Sequence, residues 1–334
     1  MTLRSLIPVV TLGFTFALSG WSQSAEKLDT PGFHHVHLNS IDPDAAIDFY
    51  VRNFPSTSRS TWGGMPALKA GNVYLLFTKV SAPPPFIPQA AIWQFGWQVI
   101  DQRASLNRYR SGGARLLPLY TGDGDNFVYF SSDTWPGASG AGGGVGRTRT
   151  QIAEAKAQGV QPTRGPGFGF IADPDGATIE YVGDSPTERF SHVHLYEEDP
   201  FCAQLWYQKH LNARAGGRGP QVQHTEADCK VARGAEPSWP STEKQGSYRV
   251  PQAGVAFADV VLTWNMNQGE APLAPTRGHV VDHFALSVAN LDAWVAKLRG
   301  ENVHFLEQTY RVGDTRAVMI EGPSREAIEL VEVK

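Results

Sequence analysis

Two stretches of this sequence place side chains that could do chemistry in the same order. HVHLNSIDPDAAIDFY runs from His35 to Tyr50, and HVHLYEEDPFCAQLWY runs from His192 to Tyr207, 157 residues further on. A carboxylate recurs as well: Glu180 ends DPDGATIE, and Glu329 ends GPSREAIE. Imidazole and carboxylate groups hold divalent cations and carry protons near neutral pH. On a strand, residues two apart share a face. His35 and His37 are therefore expected to look the same way, as are His192 and His194, while His34 is expected to look the other way.

The elements that must position these groups are repeated too. His35, His37 and Asn39 alternate with Val36 and Leu38, as in a short strand. Asp42 then supplies a helix N-cap and Pro43 the first helical position, with Ala46, Phe49 and Tyr50 at helical spacing. Asp199-Pro200 and Trp206-Tyr207 repeat that pattern. Two weaker copies begin at Trp93 (WQFGWQVIDQRASLNRYRSGG) and at Asp282 (DHFALSVANLDAWVAKLRGEN). In this alignment Gln94 and His283 take the position of His35 and His192. Each half of the chain then reads His, Gln or His, Glu: His35, Gln94, Glu180, and His192, His283, Glu329. The chain is four strand-helix-strands units.

A unit with a first-strand His and a last-strand Glu resembles the vicinal oxygen chelate superfamily, which includes glyoxalase I, bleomycin-resistance proteins and extradiol dioxygenases. The resemblance covers nearly all of residues 31–334. It implies an α+β fold of four tandem βαβββ modules, paired into two cup-shaped domains that hold a metal between first and last strands. Carried over residue by residue, it gives His192, His283 and Glu329 as the first ligand set. His35, Gln94 and Glu180 are the second. Two His and one carboxylate suit Fe2+ or Mn2+, with Zn2+ or Ni2+ as further options. The last strand of the first unit has Leu75 and Leu76 where a glutamate ligand would fall. His194, His304 and Tyr310 are the implied acid-base residues. His37 shares the face of His35, and His279 that of His283 if the strand begins so early. The implied function is a divalent-metal enzyme on a small substrate with vicinal oxygens, of dioxygenase or glyoxalase/lyase type. The other reading is a binding protein without chemistry, like the bleomycin-resistance relatives.

The halves are taken as 31–185, with units one and two and a Gly-rich insertion at about 131–165, and 189–334, with units three and four and an insertion at about 214–246. Nothing in the sequence decides whether the units pair within a cup as one with two and three with four, or exchange between chains. Trp135 and Trp239, within the insertions, are candidates for contacts with a flat substrate. Arg4, the apolar run Leu6–Leu18 and the small residues Ser22, Ser24 and Ala25 read as a signal peptide over residues 1–25, hence a periplasmic or secreted protein. Cys202 and Cys229 would then be free to pair, although two buried thiols fit the sequence as well. A net charge of −4 and no long basic run argue against nucleic acid as a partner. After leader removal nothing else reads as a membrane span, and a monomer or homodimer is expected.

Overall fold

A computed structural model describes residues 28–122, 128–131, 157–159, 168–183, 185–217, 223–229, 252–267 and 271–333. The expected leader, most of both insertions, Trp135 and Trp239 lie outside the described residues. Unit one is β1 (Gly32–Ser40), α1 (Pro43–Asn53), β2 (Thr57–Trp62), β3 (Met65–Ala70) and β4 (Val73–Lys79). Unit two is β5 (Ile92–Gln98), α2 (Gln102–Ser111), β6 (Arg115–Gly122), β7 (Val128–Ser131), β8 (Phe168–Ala172) and β9 (Thr178–Val182). Unit three is β10 (Arg189–Glu197), α3 (Pro200–Leu211), β11 (Arg214–Ala215), β12 (Gln252–Phe257) and β13 (Val260–Met266). Unit four is β14 (Val281–Val288), α4 (Leu291–Gly300), β15 (Tyr310–Val312), β16 (Thr315–Glu321) and β17 (Ala327–Glu332).

The helix starts follow the expected chemistry. Asp42 accepts from the Ala45 amide at 3.2 Å, Asp101 from Ala104 at 2.8 Å and Asn290 from Ala293 at 3.0 Å. Pro200 opens α3 without a side-chain cap from Asp199. No helix among the described residues is long and apolar enough to cross a membrane.

The strands form two curled sheets, in the orders β15-β16-β17-β14-β1-β4-β3-β2 and β11-β12-β13-β10-β5-β9-β8-β6-β7. Unit one therefore shares a cup with unit four, and unit two with unit three. This corrects the assignment of units one and two to one cup and three and four to the other. Connection length explains it. Only residues 183–188 separate β9 from β10, which keeps both in one sheet, on either side of β5. The longer links, 80–91 and 267–280, cross between sheets and run together: Ala90 bridges Ala274, and the Ala274 amide donates to the Gln89 carbonyl at 2.8 Å.

The opposite strand faces, with the helices, fill one continuous core. Phe33 stacks on Phe190 and Phe284, and Phe54 stacks on Trp97. Units that are neighbours in sequence are joined here. The Tyr50 hydroxyl of α1 donates to Asp173 of unit two at 3.0 Å, and the Tyr207 hydroxyl of α3 donates to Glu326 of unit four at 2.6 Å. Cys202 and Cys229 form a disulfide that ties α3 to its insertion. In the chain-entropy account, closing a loop of this size contributes about 3 kcal/mol. Reduction is expected to lower the thermal midpoint by several degrees, read by calorimetry with and without dithiothreitol.

Candidate metal centre

The cup of units one and four is called the outer cup, and that of units two and three the inner cup. In the outer cup β1 and β14 run antiparallel, with His37 opposite His283 and His35 opposite Ala285. Two bulges interrupt the ladder: His34 is an extra residue in β1, and Asp282 in β14. A bulge sets two successive residues against one partner and re-aims their side chains. His34 thus reaches the ring it was expected to turn away from, with its Nδ1 2.8 Å from His35 Nδ1. Asp282 accepts from His283 Nδ1 at 2.7 Å. That bond fixes the proton of His283 on Nδ1 and leaves Nε2 as a lone pair, the form a metal takes.

Glu329 stands opposite Ala285 on β17 and faces both rings. Its Oε2 lies 3.2 Å from His35 Nε2 and 3.9 Å from His283 Nε2. Its Oε1 accepts a short hydrogen bond from the Tyr310 hydroxyl. Both Nε2 atoms are buried, and neither makes an aligned hydrogen bond. A buried polar atom left this way costs about 1–3 kcal/mol. Two such atoms converging on one carboxylate are the arrangement a bound cation would complete. His37 joins them, with its ring 4.6 Å from His283 and its Nε2 2.7 Å from the Thr78 hydroxyl. His35, His37 and His283 offer donor atoms within 4.8 Å of one another.

The electrostatics favour the same occupant. Burial drives the His35 imidazole below its usual range, only partly opposed by Glu329, and drives His37 well below it, with His283 adding to the shift. Burial alone would raise the Glu329 carboxyl. The facing imidazoles and the Tyr310 hydroxyl outweigh it and hold the group at about 2. Neutral imidazoles and an ionised carboxylate are what a divalent ion requires. The symmetric position on β4, opposite His37, is Leu76. It offers no donor and leaves coordination open.

The inner cup repeats this frame with other residues. His194 stands opposite Gln94 and His192 opposite Gly96, with Ser191 and Trp93 as the extra bulge residues. Ser191 Oγ lies 2.8 Å from His192 Nδ1. Here the carboxylate is already met: Gln94 Nε2 donates to Glu180 Oε2 at 2.6 Å, and His192 Nε2 lies 3.2 Å from the same oxygen. Position 96 must be glycine, because a Cβ there would come within 2.5 Å of the His192 ring and of the Glu180 carbonyl oxygen. The fourth position is Thr263, opposite His194 on β13. Glu180, His192 and His194 also hold donor atoms within 4.8 Å of one another. A cation here would have to displace the Gln94 N–H or turn its amide.

Both expected ligand sets are therefore divided. His192 does not meet His283 and Glu329, and His35 does not meet Gln94 and Glu180. The two first-strand histidines trade places, because β1 pairs with β14 and β5 with β10. Tyr310 lies in the outer cup and His194 in the inner one. His304, implied as an acid-base residue, lies in the loop before β15, with a side chain 67% exposed and bound to Glu321. It is outside the buried cluster. β14 begins at Val281, so His279 stays in the linker, bound to the Pro88 carbonyl at 2.9 Å. The residues that orient the imidazoles were not foreseen, although the sequence carries a signal for them. A polar residue directly precedes each facing histidine: His34-His35, Ser191-His192, Asp282-His283.

Asp282 is itself fixed by the Gly278 amide at 2.6 Å and by Arg277 Nε at 2.9 Å. Asp282→Asn is expected to weaken metal affinity by about 10–100-fold, the range for groups that orient a ligand imidazole. Competition against a chromophoric chelator measures it.

Residues 189–330 match the family model of the Glyoxalase/Bleomycin resistance protein/Dioxygenase superfamily. The solved structure of glyoxalase I from Zea mays is similar, at 14% identity and a TM-score of 0.55, covering 91% of this chain and 92% of that one. A proposed dioxygenase from Bacillus subtilis is similar at 11% identity and a TM-score of 0.53, covering 92% of this chain and 86% of that one. No curated protein matches the chain. The family model covers residues 189–330, and the chain as a whole has the fold of these solved structures.

Proposed function

We propose that the protein is an exported, divalent-metal-dependent enzyme acting on a small substrate with two adjacent oxygens, of dioxygenase or glyoxalase/lyase type. The outer cup is the reactive one. The observation that supports this reading is the pair of buried Nε2 atoms, on His35 and His283, converging on ionised Glu329. Two imidazoles and one carboxylate suit Fe2+ or Mn2+. Such an ion, when bound, polarises chelated oxygens as a Lewis acid. The chain supplies the rest. Leu76 leaves room for the substrate's oxygens. His37, oriented by Thr78, is placed to carry a proton to or from them. The Trp62 ring, 5.3 Å from His35, walls the cluster. The Cys202–Cys229 disulfide supports an oxidising compartment.

The test is elemental analysis of the protein from the periplasmic fraction, followed by oxygen uptake with catechols and by isomerisation assays with α-hydroxycarbonyl compounds. The expected result is about one Fe or Mn per chain, turnover in one of the two assays, and a mature N-terminus near Ala25. Metal-free protein that stays inert after Fe2+ or Mn2+ is supplied would overturn the enzymatic reading. An intact leader would overturn the export.

A further inference from the structure

The two cups share a frame, so the residues that differ between matching positions carry information. The extra bulge residue ahead of the unit-opening ligand is Asp282 in the outer cup and Trp93 in the inner one. Asp282 orients an imidazole. Trp93 has none to orient, because the next residue is Gln94, whose amide is bound to Glu180. Trp93 instead stacks on Tyr196, with centroids 5.3 Å apart and planes at 19°. It leans on Phe170 at 6.2 Å and meets His194 edge-on at 5.8 Å.

These rings stand on the concave face. Phe170 is opposite Glu180 in the ladder, and Tyr196 shares strand parity with His192 and His194. Trp93, Phe170 and Tyr196 line a cavity of about 300 Å³, rimmed by Phe86 from the β4–β5 linker, which is 58% exposed. A second cavity of about 390 Å³ is lined by His192 and His194 with the polar side chains Arg189, Gln204 and Gln252. The Trp93–His194 contact lies between the two, and the polar groups on the first cavity come from Gln89, Thr178 and His279. An aromatic wall beside a few polar groups is the make-up of a small-molecule site.

We propose that the inner cup binds a planar aromatic ring against Trp93, with a polar substituent of that ring turned toward Thr178 and His279 of the same cavity, independently of any metal. Glu180 is already met by Gln94 and His192, so this site needs no cation.

The test uses the full mature chain, stripped of metal with a chelator, and 2-naphthol as probe in isothermal titration calorimetry. Decahydro-2-naphthol, its saturated counterpart, is the control. The expected result is one naphthol per chain, with weaker binding of the saturated compound. Trp93→Ala should weaken naphthol by about tenfold or more, Trp93→Phe by less, and Glu329→Ala not at all. Near-ultraviolet circular dichroism checks that each variant is folded; if Trp93→Ala is not, Trp93→Phe and Tyr196→Leu carry the comparison. Absence of naphthol binding, or equal binding by the folded ring variants, would overturn the site. Equal affinity for the saturated compound would overturn the aromatic class. Loss of binding in Glu329→Ala would move the ring to the outer cup. Because the protein is metal-free throughout, none of these results depends on the proposed enzymatic activity.

Discussion

Glu329→Ala is expected to strip metal from the outer cup, while His192→Ala leaves the metal content unchanged. Removing Glu329 takes away the negative charge that faces both imidazoles and leaves a neutral, buried pocket for a dication. The loss should exceed the hundredfold reached when only a partner of a ligand is changed. His283→Ala should act alike, because its Nε2 is one of the two buried atoms with no other partner. The reciprocal change is the sharper measurement. Gln94→His gives the inner cup the residue types of the outer one, with Glu180 released from the amide it now accepts. This variant is expected to bind a second equivalent of metal. Mass-spectrometric metal counts on the four proteins decide the matter. A count that falls with His192→Ala, or fails to rise with Gln94→His, would contradict the reading of the two cups.

The second large effect concerns stability. Burial pushes the Asp173 carboxyl up to about 7, against the pull of the Ala177 amide and the Tyr50 hydroxyl. Burial likewise pushes Glu326 up to about 8, against the Tyr207 hydroxyl. A carboxyl that holds its proton more tightly when folded stabilises the fold fully below its unfolded value. That contribution is lost as pH rises through the folded one. The buried histidines act in the opposite sense. Their depressed values add stability as pH rises, until the unfolded imidazoles have lost their protons about one unit above 6.5. Above that point the carboxyls act alone. Between pH 6.5 and 8.5 the unfolding free energy should fall by roughly 1–2 kcal/mol once the remaining histidine gain is counted. Asp173→Asn with Glu326→Gln should flatten the curve, since neither amide titrates. Urea titrations at three pH values measure it; a wild-type slope that persists in the double variant would assign the pH dependence elsewhere.

How far the sequence reached depends on the level of description. The units, the cap at Asp42 and the residue types of both sites follow from local pattern, because each is decided within one strand or one helix turn, whereas Asp199 repeats Asp42 in sequence without making the side-chain cap. The partnership of the units does not follow from local pattern. Any first strand in the set has the alternation to pair with any other, and the choice is made by the short link 183–188 against the long links 80–91 and 267–280. Strand parity also failed locally. It assumes an unbroken ladder, and the extra residues His34, Ser191, Trp93 and Asp282 break it beside each unit-opening ligand position. Those same breaks bring a histidine, a serine and an aspartate onto the rings they orient. What periodicity could not see is therefore what prepares the site.

The pairing of unit one with unit four bears on when the outer cup can form. His283 and Glu329 are made only after His35 and the units that lie between them. The outer cup cannot exist on a nascent or truncated chain, and its closing contacts span nearly the whole sequence, a topology that folds slowly. Any fragment that ends before β17 keeps its early histidines and lacks the carboxylate. Such a fragment is expected to bind no metal in the outer cup.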